Sequence, residues 1–259
     1  MKKESCKISD IRSQRLSYPF YFISDAHLST VSDKEQNERL GAILALLEEV
    51  RTSKGTLFIL GDFFDFWFSK GKYIPPNLEA VIDLLSRLVD EGNEIHYIAG
   101  NHDYWVNGFI KDKIGFKFYP QALSFSFDNK RFFLHHGDSI SYQGKIYPLA
   151  RKVMRSFWAI GLLKLLPIRF TYYLGEKVSR YNRKHDGILA ASEEDILSMK
   201  NYLWEKTKQG FDIALAGHVH LPLKESKGNK EIAILGDWIH HRTYGYMDEK
   251  GFKLLGMDI

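Results

Sequence analysis

Cysteine is almost missing: Cys6 is the only one in 259 residues, which excludes an intrachain disulfide and the small stapled folds of secreted proteins. Long apolar runs are missing too. No stretch approaches the ~20 apolar residues that a membrane-spanning helix needs. Met1-Lys2-Lys3 is followed by no apolar segment of the kind a cleaved secretory signal carries. Charge of one sign is scarce, since 36 Lys and Arg against 32 Asp and Glu leave a formal net charge of +4. That balance argues against a nucleic-acid partner, yet it suits an anionic substrate or an anionic membrane surface. Internal repeats and low-complexity segments are absent as well, and nothing in the sequence requires a protein partner. The expectation is a cytoplasmic α/β protein with a substantial core, built as one domain with an insertion.

Periodicity supplies the elements. Strand-like runs at residues 20–24, 56–60, 94–99, 131–134 and 211–216 are separated by helical patterns. Leu40, Ile43, Leu44, Leu47 and Val50 follow helical spacing behind Ser32 and Glu35, which have the spacing of a capping box. Pro75 and Pro76 open a second helix with Leu78, Val81, Ile82, Leu85, Leu88 and Val89 on its inner face. Phe125 and Phe132 flank a turn at Asp128-Asn129-Lys130, the pattern of a hairpin. These units predict two sheets face to face with helices outside. Residues 1–17 read as a loose polar leader and 18–259 as the domain. A mainly helical insertion is expected at about 141–209, with one helix opening at Ser192 and Asp195.

Each of the five strand-like runs ends in residue types that bind divalent ions. The segments are Asp25-Ala26-His27, Gly61-Asp62-Phe63-Phe64-Asp65, Gly100-Asn101-His102-Asp103, His135-His136-Gly137-Asp138 and Gly217-His218-Val219-His220. Carboxylate, amide oxygen and imidazole suit manganese, iron or zinc, and strand ends are where α/β proteins place their chemistry. Singly, an Asp-x-His or a Gly-Asn-His-Asp is commonly a surface pair or a turn. Five in one chain, all at strand ends, make that reading untenable. Neighbours on a strand point to opposite faces, so only one of His135 and His136 can serve.

Taken together the segments resemble the calcineurin-like metallophosphoesterase superfamily, whose motifs read D-x-H, G-D-x-x-D, G-N-H-D/E, an H before glycine, and G-H-x-H. The resemblance covers most of the chain outside the insertion and implies a four-layer α/β/β/α metallophosphoesterase sandwich with a helical lid. It also implies two divalent cations. Asp25, His27, Asp62 and His220 would hold one; Asp62, Asn101, His136 and His218 would hold the other. Asp62 would bridge, since a carboxylate has lone pairs for two ions. Two cations roughly 3.5–4 Å apart acidify a water, orient a phosphoryl group and stabilise its developing charge. His102 becomes the candidate general acid or transition-state stabiliser, with Asp103 or Asp65 to orient it. Loop hydrogen bonding is the alternative role for those two carboxylates.

The insertion bears on substrate. Phe157, Trp158, Ile160, Leu162, Leu163, Leu165 and Leu166 are interleaved or flanked by Arg151, Lys152, Arg155, Lys164, Arg169, Lys177, Arg180, Arg183 and Lys184. Apolar surface mixed with positive charge suits an interfacial segment or a cleft for an acylated anion. A helical hairpin with a solvated basic face is the plain alternative. This layout is similar to the UDP-2,3-diacylglucosamine hydrolases of lipid A biosynthesis, as is Leu235-Gly236-Asp237-Trp238 to their closing Leu-Gly-x-Trp. That family cleaves an acylated sugar-nucleotide pyrophosphate, usually with manganese, at the cytoplasmic face of the inner membrane. Its implied phosphate or sugar contacts in the lid are Arg180, Asn182, Arg183 and Lys184. This chain has His102 where well-known members carry Arg. A soluble nucleotide or other phosphoester is the competing substrate, and a scaffold without activity would tend to have lost some of the seven ligand positions kept here.

Overall fold

Side-chain alternation along short buried strands sets the layers. The computed structural model describes residues 7–11, 16–140, 165–186 and 192–257, with the backbone alone at 178–186. One sheet runs in the order β12 (Gly251–Gly256), β11 (Thr243–Asp248), β2 (Phe20–Ile23), β3 (Thr56–Leu60), β4 (Ile95–Ile98), β5 (Lys117–Tyr119). The other runs β1 (Ile8–Ile11), β6 (Ala122–Phe127), β7 (Lys130–His135), β8 (Ile213–Ala216), β10 (Lys230–Leu235), β9 (Pro222–Lys227). Helices α1 (Lys34–Ser53) and α2 (Glu79–Asp90) are the crossovers between the parallel strands β2, β3 and β4. The remaining described α-helices are α3 (Phe109–Ile114), α4 (Ile168–Asp186) and α5 (Glu193–Lys208), and a 3₁₀ turn at Pro76–Leu78 leads into α2.

Three buried clusters separate four layers. Tyr21, Leu57, Ile59 and Tyr97 turn outward onto Ile43, Leu47, Val81 and Leu85 of α1 and α2. Phe20, Phe22, Phe58 and Leu60 turn inward and meet Leu123, Phe125, Phe132 and Leu134 of the second sheet. Phe58 stacks on Phe125 across that seam at 5.0 Å, and Phe125 stacks on Phe132 within the second sheet at 4.4 Å. The far face of the second sheet, with Phe133, Ala214 and Ile232, packs on Met199 and Leu203 of α5. The result is the expected α/β/β/α sandwich.

Several local expectations change. Helix α1 starts one residue later than the capping-box spacing suggests: its N-cap is Asp33, whose carboxylate accepts from Gln36 N–H at 2.8 Å. A carboxylate there also complements the helix dipole. At Ser192 both arms of the capping box are present with Asp195. Ile8–Ile11, placed within the polar leader, is instead an edge strand paired in parallel with β6. One face of it is open to solvent, and Asp10 is held by the Ser124 hydroxyl at 2.9 Å. Helix α5 falls within the range read as an insertion, yet it forms the outer layer of the sandwich. Among the described residues no helix is long and apolar enough to cross a membrane.

Candidate metal centre

Backbone geometry at the strand ends brings the five segments together. Asp25, His27, Asp62, His218 and His220 all take positive φ, between 45° and 70°, a left-handed conformation that costs a non-glycine residue about 1–3 kcal/mol. Hydrogen bonds between loops hold them there. Asp25 N–H donates to Gly61 O at 3.1 Å, His27 N–H to Asp62 O at 2.9 Å, and Gly217 N–H to His136 O at 2.9 Å. Two glycines make room. Gly61 has φ +82° and a Cβ there would lie 2.7 Å from His136 Nδ1, while a Cβ on Gly100 would collide with Asp62 Oδ1.

The anticipated ligands converge as two groups, and His27, Asp65 and His102 form a third beside them. In the first, Asp25, His27 and His220 present ligand atoms within 4.8 Å of one another. His27 Nε2 lies 3.3 Å from His220 Nε2, and Asp25 Oδ1 lies 3.4 Å from His220 Nε2. In the second, Asp62, His136 and His218 meet the same criterion. His136 Nε2 lies 3.3 Å from Asp62 Oδ2 and 3.1 Å from Asn101 Oδ1. The Asp25 carboxylate accepts the His218 N–H at 2.8 Å, which joins the groups. All seven positions anticipated as ligands therefore gather at one edge of the sandwich.

A further set of acceptors aims these rings. Leu60 O takes His136 Nδ1–H at 2.7 Å, Asp65 Oδ1 faces His27 Nδ1 at 3.4 Å, and Asp237 Oδ2 faces His220 Nδ1 at 3.3 Å. Each arrangement leaves Nε2 directed inward, which is how ligating histidines are usually oriented. The donor set fits a pair of divalent ions. Asp25 and Asp62 are buried, their ion pairs are with imidazoles, and Asp65, Asp103 and Asp237 add further buried carboxylates. So much negative charge out of water calls for cations.

Protonation follows the same layout. Burial alone would lower His136, but the charge of Asp62 outweighs it and pushes the imidazole up to about 10. For His220 burial is again outweighed, here by its bonds to Asp237 and Asp25, and the value is also about 10. Burial pushes His218 down to about 4 and lowers His27. Asp62 stays well below the usual carboxylate range, because surrounding imidazoles, His136 foremost, overcome the cost of burial.

His102 reaches over this centre. Its Nδ1–H donates to Asp65 O at 2.8 Å, and its Nε2 faces Asp62 Oδ2 at 4.0 Å. Of the two orienting partners considered, Asp65 is therefore the one in place, through its carbonyl. Asp103 is turned elsewhere. Its carboxylate accepts from Gly100 N–H at 3.0 Å, Phe63 N–H at 2.8 Å, Phe64 N–H at 3.3 Å and the Tyr97 hydroxyl, so it ties the β3 and β4 loops together. Burial, reinforced by the Asp62 charge, pushes that carboxyl up to about 6. His135 points away from the centre, with its ring beside Phe133 and Tyr202, and burial pushes it down to about 4.

Sequence reasoning missed Asp237 as part of the site. It follows a strand and a glycine, as Asp62 does, and that repeat was the available signal. Arg180, Asn182, Arg183 and Lys184 lie in the backbone of α4, and their side chains are outside the described residues. Phe157 and Trp158 are outside them too.

Parallel strand ends that gather Asp, His and Asn in two adjoining groups, roofed by a histidine, define a metal-dependent phosphoesterase. The family model of the calcineurin-like phosphoesterases matches residues 18–222, and the chain belongs to that family. It is similar to a UDP-2,3-diacylglucosamine hydrolase of Porphyromonas gingivalis, with 28% identity covering 92% of this chain and 97% of the relative. Proteins of the same name from Haemophilus influenzae and Pseudomonas fluorescens are 25% and 27% identical. They cover 89% and 91% of this chain and 95% and 94% of their own lengths.

Proposed function

We propose that this chain hydrolyses the pyrophosphate of UDP-2,3-diacylglucosamine to UMP and 2,3-diacylglucosamine 1-phosphate. The observation that carries the reaction class is the pair of ligand groups around Asp25 and Asp62 beneath His102. Near full-length similarity to hydrolases of that name supports the substrate. Asp25, His27, Asp62 and His220 would hold one divalent ion, and Asp62, Asn101, His136 and His218 the second. Manganese is the expected metal, and iron or zinc would fit the same donors. When bound, such a pair acidifies water and neutralises charge growing on phosphoryl oxygens.

The chain's own groups do the rest. Water attacks the uridine-side phosphorus, and the bond from that phosphorus to the bridging oxygen breaks. The electron pair leaves on the sugar phosphate. His102, its Nδ1 fixed by the Asp65 carbonyl, has Nε2 available to stabilise or protonate the departing oxygen. Purified protein incubated with UDP-2,3-diacylglucosamine and Mn²⁺ should release UMP, with kcat/KM at least about a hundredfold above that for the deacylated analogue. Equal rates on both would favour the soluble-substrate reading.

The acylated substrate also implies a peripheral position on the cytoplasmic face of an inner membrane, within lipid A biosynthesis. Leu165, Phe170 and Tyr173 are exposed at 82%, 46% and 58%, beside the basic Arg169 and Lys177, a combination suited to an anionic interface. The double variant Phe170→Asp and Tyr173→Asp should lose about tenfold in sedimentation with phosphatidylglycerol vesicles, as buried apolar area is replaced by charge. Unchanged sedimentation would remove α4 from the membrane contact.

A further inference from the structure

One buried carboxylate ties helix α4 to the loop that carries Asp25 and His27. Glu176 is 4% exposed. Its Oε1 accepts from Ser29 Oγ at 3.2 Å, from Thr30 N–H at 2.6 Å and from the Thr30 hydroxyl. Ser29 and Thr30 come two and three residues after His27, so this contact is made on the loop that carries Asp25 and His27. One turn earlier on the same helix face, Tyr172 is 4% exposed and its hydroxyl donates to Phe68 O at 3.3 Å. The Tyr172 ring also packs edge-on against Phe66 and Trp67. Between them, Gly175 lies so close to the Phe66 ring that a Cβ would come within 2.5 Å of it. Phe66, Trp67 and Phe68 continue the loop that carries Asp62 and Asp65. The first half of α4 is thus seated on both ligand loops.

We propose that Glu176 is a positioning residue that fixes the distance between the metal centre and the second half of α4. Arg180 begins one turn beyond it, about 6 Å along the axis, followed by Asn182, Arg183 and Lys184. Those are the groups expected to meet the phosphate or sugar of a long substrate, so the inference rests on the proposed function. A loosened α4 would leave small phosphodiesters unaffected, since they need only the metal ligands and His102. It would weaken capture of the acylated sugar nucleotide.

The test compares wild type, Glu176→Ala and Glu176→Gln, all loaded with Mn²⁺. Gln is included because its amide oxygen can still accept the Ser29 and Thr30 donors. Three quantities are measured: amide hydrogen exchange across residues 168–177, turnover of UDP-2,3-diacylglucosamine, and turnover of bis-p-nitrophenyl phosphate. Glu176→Ala should speed exchange in α4 by about tenfold or more. It should also raise KM for the acylated substrate by about tenfold and keep the small diester within about twofold of wild type. Gln should restore all three. Unchanged exchange in α4, or equal losses on both substrates, would overturn the positioning role. A wild-type protein that cleaves the small diester and not the sugar nucleotide would refute the substrate reading alone. Exchange in α4 would then still decide the role of Glu176.

Discussion

Asp62→Ala should lower kcat by about a thousandfold or more on any phosphoester the protein cleaves, equivalent to about 4 kcal/mol of lost transition-state stabilisation. Asp62 Oδ2 faces His136 Nε2 at 3.3 Å and His102 Nε2 at 4.0 Å, while Oδ1 accepts the His102 N–H at 2.9 Å. One substitution therefore removes the carboxylate proposed to serve both ions and the acceptor that seats the His102 backbone. The fold should survive, because the buried cores on either side of the first sheet do not involve this side chain. Activity, metal content and thermal unfolding measured on one preparation separate these effects. Near wild-type kcat with two bound ions would sink the shared-carboxylate reading. A collapse in Tm would assign Asp62 a structural role instead.

What could be read from the sequence was whatever repeats with a simple period. Strands β2 and β3 alternate large side chains on both faces, so their location and the ligands at their ends were visible. His136 was separable from His135 by the same alternation, and the structure puts the two rings on opposite sides of the sheet. Long-range polar contacts carry no period. Asp103 lies beside His102 in the chain, yet its carboxylate bonds to Phe63, Phe64, Gly100 and Tyr97. Proximity in sequence thus pointed to the wrong partner. Asp237 lies 17 residues beyond His220 and supports it only because β10 ends beside β8. The edge strand Ile8–Ile11 was hidden for a different reason. It is half open to solvent and is held by backbone pairing to β6, which any residue type can supply.

Metal uptake should release about one proton per ion at neutral pH, and the apparent affinity of each site should rise about tenfold per pH unit up to about 10. His136 and His220 each have both ring nitrogens against acceptors, Leu60 O and Asp62 for one, Asp237 and Asp25 for the other. That geometry favours imidazolium, and the neighbouring carboxylates outweigh burial to push both values up to about 10 against the ordinary 6.5. An ion held by these residues would compete with the ring protons of His220 and His136. Acid therefore opposes binding and alkali favours it. Folding shows the opposite trend. Raised values mean that these two histidines stabilise the metal-free fold fully below pH 6.5, and that this contribution fades as pH climbs toward about 10. Bound cations would take over the same electrostatic task, so the metal-loaded protein should lack that alkaline decline. Calorimetric titration with Mn²⁺ in two buffers of different ionisation enthalpy counts the protons directly. Heats independent of buffer would mean that both imidazoles are already neutral, and the ion-pair account of these two histidines would fail.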